Sequence, residues 1–116
     1  MARDEEQFHR SLVQHLRLRA DKRVVWFHVP NGEYRSKATG GRLKAMGVLA
    51  GVPDLTFILP DASVCFLELK RKGGVTSPAQ HDFARRCDAI CVELAVVYDI
   101  DQALSILTAW GVIPLN

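Results

Sequence analysis

Several features that would assign a protein to a class are scarce in this chain of 116 residues. It has no apolar run of about 18 residues, so the sequence predicts no membrane span. The first ten residues, MARDEEQFHR, are rich in charge, and we therefore expect no secretory leader. The 15 Lys and Arg nearly balance the 13 Asp and Glu, so the net charge of +2 does not by itself indicate a nucleic-acid partner.

Cysteine is also scarce, and its pattern indicates a compartment. The three cysteines, Cys65, Cys87 and Cys91, are odd in number and lie within apolar stretches. They predict reduced core thiols in a cytoplasmic protein rather than a disulfide framework. No spacing of cysteine and histidine is typical of a zinc site.

The apolar pattern predicts one domain, residues 1–116, because no repeat, low-complexity tract or linker divides it. Hydrophobic residues make up 48% of the chain, which excludes a disordered protein. The predicted elements are a helix over 3–19, strands over 24–29, 55–59, 64–70 and 91–98, and helices over 78–90 and 101–109. A hairpin followed by a crossover helix and another strand implies an α/β fold with a mixed sheet flanked by helices.

The residues with the clearest chemical potential are Asp54, Glu68 and Lys70. Side chains alternate along a strand, so Glu68 and Lys70 share one face. Centring the hairpin on a four-residue connection, Pro60–Ser63, places Asp54 opposite about Leu69. Glu68 and Lys70 would then lie within about 8 Å of Asp54, and two carboxylates and an ammonium would meet at one end of the sheet.

Two carboxylates so close together repel each other unless something neutralises them. A hard cation such as Mg²⁺ does so, and it can activate a bound water toward a phosphodiester. Lys70 could then orient or deprotonate the water, or stabilise the developing charge. Taken alone, Glu68 and Lys70 could equally be a surface ion pair worth at most about 1 kcal/mol.

Three ordered motifs resemble the PD-(D/E)xK nuclease superfamily and, more closely, its virus-type replication-repair nuclease family, VRR-NUC. The motifs are Pro53-Asp54, Glu68-Leu69-Lys70 and Ser77-x-x-Gln80. The stretch His28-Val29-Pro30-Asn31-Gly32 and the following Arg35 are also similar to that family. The resemblance extends from residue 5 to about residue 98 and implies a restriction-endonuclease-like αβββαβ core.

The resemblance also implies the role of each residue in the motifs. Asp54 and Glu68 correspond to metal-binding acids, and the backbone carbonyl of Leu69 to a further metal ligand. Lys70 corresponds to the catalytic lysine, and Gln80 to a glutamine near the active site. A purely structural role is also open to Gln80, because it can complete a capping box with Ser77.

The first predicted helix would contribute one more acid to the metal site. The resemblance assigns Glu5 to this role, with Glu6 as the alternative, although an acid at a helix start is favourable by charge alone. One helical turn later the family often has Gln or Glu, whereas this chain has His9. His28 lies in an apolar strand and is interpreted as a core or rim histidine rather than a ligand.

Positive side chains precede and follow the acidic motifs, and we interpret them as a surface that faces DNA phosphates. The predicted DNA-binding residues are Asn31, Arg35, Lys37, Arg42, Lys44, Arg71 and Lys72. Those before the motif belong to a glycine-containing loop with a short helix around Arg42–Met46, which could also be simply solvated. Nothing resembles a base-reading helix, so recognition of DNA shape or branching is favoured.

The predicted function is that of a Mg²⁺- or Mn²⁺-dependent DNA endonuclease, structure-selective for branched DNA in the manner of a Holliday-junction resolvase. The resemblance further implies a homodimer and a role in DNA repair in a bacterial cell or a phage-infected host. The alternatives are a nicking, flap or restriction-like nuclease of the same fold, and a non-catalytic DNA-binding module.

Overall fold

A computed structural model describes residues 3–30 and 36–115. The helices and strands are α1 (Arg3–Arg19), β1 (Val25–His28), α2 (Lys37–Ala45), β2 (Leu55–Ile58), β3 (Val64–Leu69), α3 (Pro78–Ala89), β4 (Glu93–Val97) and α4 (Ile100–Ala109). All seven predicted elements are present, with ends that differ by a few residues. Within the described ranges, no helix combines the length and apolar character that crossing a membrane requires.

Helix α2 is longer than the short helix predicted around Arg42–Met46. It begins at Lys37, because the side chain of Ser36 accepts a hydrogen bond from the backbone N–H of Thr39 and so caps the first turn. None of its residues is buried. The glycines within it concealed the helix in the sequence, since glycine lowers helix propensity.

The four strands form one mixed sheet in the order β1-β2-β3-β4. Strands β1 and β2, and β2 and β3, are antiparallel, whereas β3 and β4 are parallel and are joined through α3. A parallel pair requires such a crossover connection. The α/β class and the mixed sheet flanked by helices are therefore confirmed.

The register of the β2–β3 hairpin differs by one residue from the prediction. Leu55 lies opposite Leu67, which continues to Asp54 opposite Glu68 rather than opposite Leu69. The connection contains five residues, 59–63, and Ala62 within it has a φ of 72°. A left-handed residue in a short hairpin loop shifts the pairing in this way. The two acids are consequently direct cross-strand neighbours.

The core lies between one face of the sheet and helices α1 and α4. Leu55 and Phe57 of β2 pack there with the buried leucines of β3 and with Leu12 and Leu16 of α1. Helix α3 covers the opposite face, where Phe83 makes an edge-to-face contact with Phe66 of β3. The sheet is thus held from both sides, and its ends are where polar side chains of different elements can meet.

The cysteines follow the prediction in part. Cys65 and Cys87 are buried free thiols, but Cys91 is exposed. It lies in the turn between α3 and β4 with a φ of 62°, because β4 begins at Glu93, later than predicted. The expectation of a core position for Cys91 was therefore wrong.

Gly51 has a conformation and surroundings that exclude a side chain. Its φ is +85°, and a Cβ there would overlap the carbonyl oxygen of Ala79 and lie 2.8 Å from the nitrogen of Gln80. We expect Gly51→Ala to lower the free energy of unfolding by at least about 2 kcal/mol in urea titrations. Gly47→Ala is the matched control, since Gly47 has a φ of +98° but open space around it. Equal losses in the two variants would mean that the contact with Ala79 contributes nothing.

Candidate active site

Asp54 is fixed by hydrogen bonds to both neighbouring strands. Its backbone carbonyl accepts from the N–H of Val29 at 3.1 Å and from Nδ1 of His28 at 2.7 Å. Its carboxylate oxygen Oδ2 accepts from the N–H of Leu69 at 2.8 Å. Asp54 immediately precedes β2. Its carboxylate accepts the kind of bond that a backbone carbonyl accepts within a sheet. The bond uses one oxygen and leaves the other for the site.

Glu68 lies beside Asp54 and is buried, with 5% of its surface exposed. Its Oε2 accepts a hydrogen bond from Nε2 of Gln80 at 2.9 Å. Gln80 is itself held by a capping box with Ser77, in which its Oε1 accepts from the Ser77 N–H and its own N–H donates to Ser77 Oγ. Gln80 therefore caps α3 and also contacts the buried acid.

The environment of Glu68 strongly disfavours its charged form. Burial, together with a side-chain hydrogen bond to Asp54 and the charge of Asp54, raises the pKa of Glu68 to about 9. Lys70 opposes this shift, whereas Glu5 adds to it. Lys70 of the strand end and Glu5 of α1 are therefore close enough to act on Glu68. Glu6 is exposed and has no such effect.

The raised pKa of Glu68 predicts an unusual pH dependence of stability. The folded state keeps a proton that the unfolded chain releases near pH 4.5, so the free energy of unfolding should fall as the pH rises toward about 9. In the presence of a chelator at about pH 8, we expect Glu68→Gln to be more stable than wild type by more than about 1 kcal/mol. The measurement is urea unfolding across this pH range.

Glu6→Gln serves as the control for this experiment, because Glu6 is an exposed glutamate of the same chain. It should retain the wild-type slope of stability against pH. If the stability of wild type and of Glu68→Gln changes with pH at the same slope, Glu68 ionises normally in the folded protein.

A second group of ligating side chains adjoins Asp54. One ligating atom from each of His9, His28 and Asp54 lies within 4.8 Å of the others. The rings of His9 and His28 are in edge-to-face contact, with centroids 4.3 Å apart. Burial, and then the neighbouring His28, lowers the pKa of His9, although Asp54 opposes the shift. His9 is thus favoured in its neutral form.

His28 is the residue whose place in the site the sequence interpretation missed. It is the last residue of β1, opposite Leu55, and its Nδ1 contacts the Asp54 carbonyl. The sequence could have indicated this position, because antiparallel pairing of β1 with β2 places the end of β1 beside the start of β2. The intervening α2 obscured this pairing, because the two strands are distant in sequence.

Five of the seven predicted DNA-binding residues lie in the described part of the chain, and all five are exposed. Lys37, Arg42 and Lys44 are exposed on α2, and Arg71 and Lys72 are exposed in the turn after β3. In the described part of the chain, the ion pairs are Arg23 with Asp21 and Arg85 with Asp82, so none of these five cations is paired there. Asn31 and Arg35 lie outside the described residues.

Comparisons with known proteins support the fold. No protein-family model and no curated protein matches the chain. A solved structure described as "VRR_NUC domain protein" is similar, with a TM-score of 0.74 and 19% identity over 97% of each chain. Another, described as "VRR_NUC domain", has a TM-score of 0.64 and 18% identity over 94% of this chain and 99% of the other. The chain has the VRR-NUC fold, as the motifs implied.

Proposed function

We propose that this chain, which has the VRR-NUC fold, is a divalent-cation-dependent endonuclease of the PD-(D/E)xK type that acts on DNA. The observation that carries the proposal is the pair of buried acids, Asp54 and Glu68, with Lys70 beside them at one end of the sheet. A binding module has no need to hold two acids toward phosphate, because they repel it.

The residues present fit a hard cation. Asp54 and Glu68 would hold it, with the Leu69 carbonyl and Glu5 as further oxygen ligands. The unfavourable ionisation of Glu68 is the physical reason, since a cation between the two acids would replace the proton that Glu68 otherwise keeps. When bound, Mg²⁺ or Mn²⁺ supplies an acidified water and offsets charge on the phosphodiester.

The chain's own residues would orient this chemistry. Lys70 brings an amino group to the end of β3. As an ammonium it can hold the attacking water and stabilise charge on the phosphate, whereas deprotonating that water would require its neutral form. The amide of Gln80 holds one oxygen of Glu68 and thereby directs the other oxygen. Local structure sets the positions of both side chains. Strand alternation sets the face on which Lys70 lies, and the capping box of α3 holds Gln80.

The DNA would approach across the exposed cations of α2 and of the turn after β3. Lys37 and Lys44 are two helical turns apart and share a face of α2, as suits contacts along one phosphate backbone. With phosphate contacts dominant, selectivity would come from DNA shape, and we propose branched substrates such as four-way junctions. A two-fold homodimer would place two sites for symmetrical cuts in two strands.

The test is a substrate panel incubated with Mg²⁺ and with Mn²⁺. Four-way junction, flap, nicked and linear duplexes of matched sequence should be cut in the presence of a cation, with the junction cut fastest. Equal cutting of linear duplex would remove the proposal of branch selectivity and leave a general nuclease. Binding without cleavage of any substrate would favour the DNA-binding module, and sedimentation of the protein alone tests the homodimer.

A further inference from the structure

The hydrogen bond between His28 and the Asp54 carbonyl determines which ring nitrogen of His28 is available to a ligand. A carbonyl oxygen can only accept, so Nδ1 of His28 must carry the hydrogen. In the neutral ring, Nε2 then has a free lone pair. Histidines that bind metals usually donate their other ring N–H to a carbonyl or carboxylate, which fixes the tautomer and the orientation of the ring.

His9 supplies a second nitrogen from a different element. It lies on α1, is 8% exposed, and touches His28 ring to ring. An imidazole ring nitrogen is a common metal ligand. Two imidazoles of restricted orientation therefore stand beside one carboxylate, which also belongs to the acidic pair with Glu68.

We propose that His9, His28 and Asp54 form a second cation site, of mixed nitrogen and oxygen ligands, that shares Asp54 with the acidic site. One ring nitrogen of each histidine and one carboxylate oxygen of Asp54 lie within 4.8 Å of one another. A cation about 2.0–2.2 Å from all three atoms needs them on average at most about 3.8 Å apart, so the side chains would have to contract by up to about 1 Å. This inference rests on the proposed function in placing another cation at the Asp54–Glu68 pair.

The ligand set specifies the class of metal. Imidazole nitrogens favour zinc and transition-metal ions, whereas Mg²⁺ prefers oxygen ligands and retains its waters. The site should therefore accept Mn²⁺, Co²⁺ or Zn²⁺ and discriminate against Mg²⁺. Through Asp54, a metal held there would also alter the charge on the acidic site.

The experiment is pulsed electron paramagnetic resonance of Mn²⁺ bound to the full chain. Imidazole ligation gives modulation from ¹⁴N nuclei, which we expect in wild type and expect to be lost in a His9→Asn, His28→Asn double variant. Asparagine at position 28 keeps an amide donor near the Nδ1 position, so the bond to the Asp54 carbonyl can persist. His81→Asn is the matched control, because His81 is exposed on α3.

Co²⁺ affinity, followed by visible absorption, provides a second readout. We expect each histidine variant to weaken Co²⁺ binding by about 10-fold or more, while the Mg²⁺-dependent rise in melting temperature remains. Wild-type Mn²⁺ spectra without ¹⁴N modulation would overturn the site, and this measurement needs no variant that folds. Because ligation is measured rather than cleavage, a protein that cuts no DNA but shows the modulation refutes the proposed function alone.

Discussion

Asp54→Asn should abolish the stabilisation of the protein by Mg²⁺ and reduce DNA cleavage by at least about 100-fold. In the absence of cations the variant should fold normally, because the asparagine oxygen can still accept from the Leu69 N–H. What it loses is the negative charge that a cation needs. A cation at about 100 times its dissociation constant stabilises the folded state by about 2.7 kcal/mol, so wild type should gain several degrees in melting temperature.

The measurement is thermal unfolding against Mg²⁺ concentration, with cleavage assayed in parallel. Asp88→Asn, an exposed aspartate at the end of α3, is the control for loss of a carboxylate elsewhere and should respond to Mg²⁺ like wild type. If Asp54→Asn gains as much melting temperature as wild type, Mg²⁺ binds at another place in the protein.

Lys70→Ala should separate the two effects that Asp54→Asn loses together. Cleavage should fall by at least about 100-fold while stabilisation by Mg²⁺ remains. Lys70 carries no metal-ligating oxygen in its side chain, so its loss leaves the acids in place. Its charge lowers the pKa of Glu68, so the variant should also shift the ionisation of Glu68 toward higher pH. Single-turnover cleavage and Mg²⁺-dependent melting, measured on the same preparation, distinguish catalysis from folding.

Lys72→Ala is the matched control for Lys70→Ala. Lys72 is exposed two residues further along and would contact phosphate rather than the reacting atoms. Its loss should weaken binding evenly across substrates and reduce the salt dependence of binding by about one unit of slope. A Lys70→Ala protein that cleaves at the wild-type rate would exclude Lys70 from catalysis and return it to the role of a surface charge.

Much of the fold was predictable because its elements have strong local signals. The apolar spacing of α1, the β-branched residues of β1 and the Ser77–Gln80 capping box each specify an element through neighbouring residues. Helix α2 was only partly predictable, since Gly40 and Gly41 oppose it and no buried face supports it. Its first turn depends on the cap that Ser36 provides.

Within the candidate site, the relative positions of side chains on one strand were predictable from strand alternation. Positions that depend on the register between strands were less predictable. Glu68 and Lys70 share a face whatever the pairing, but the position of Asp54 opposite Glu68 depends on the conformation of Ala62. The approach of His9 and His28 to Asp54 depends on how α1 and β1 pack, which is tertiary information. Glu5, similarly, acts on Glu68 only because α1 reaches this end of the sheet.

The close approach of Gly51 to Ala79 ties together two parts of the site that are distant in sequence. Gly51 precedes Asp54 by three residues, and Ala79 immediately precedes Gln80, so the backbone of one segment limits the movement of the other. The relative position of Asp54 and the Glu68–Gln80 pair is therefore set when the chain folds. The entropy lost in bringing these groups together belongs to the folding free energy, so in the proposed nuclease it would not add to the reaction barrier.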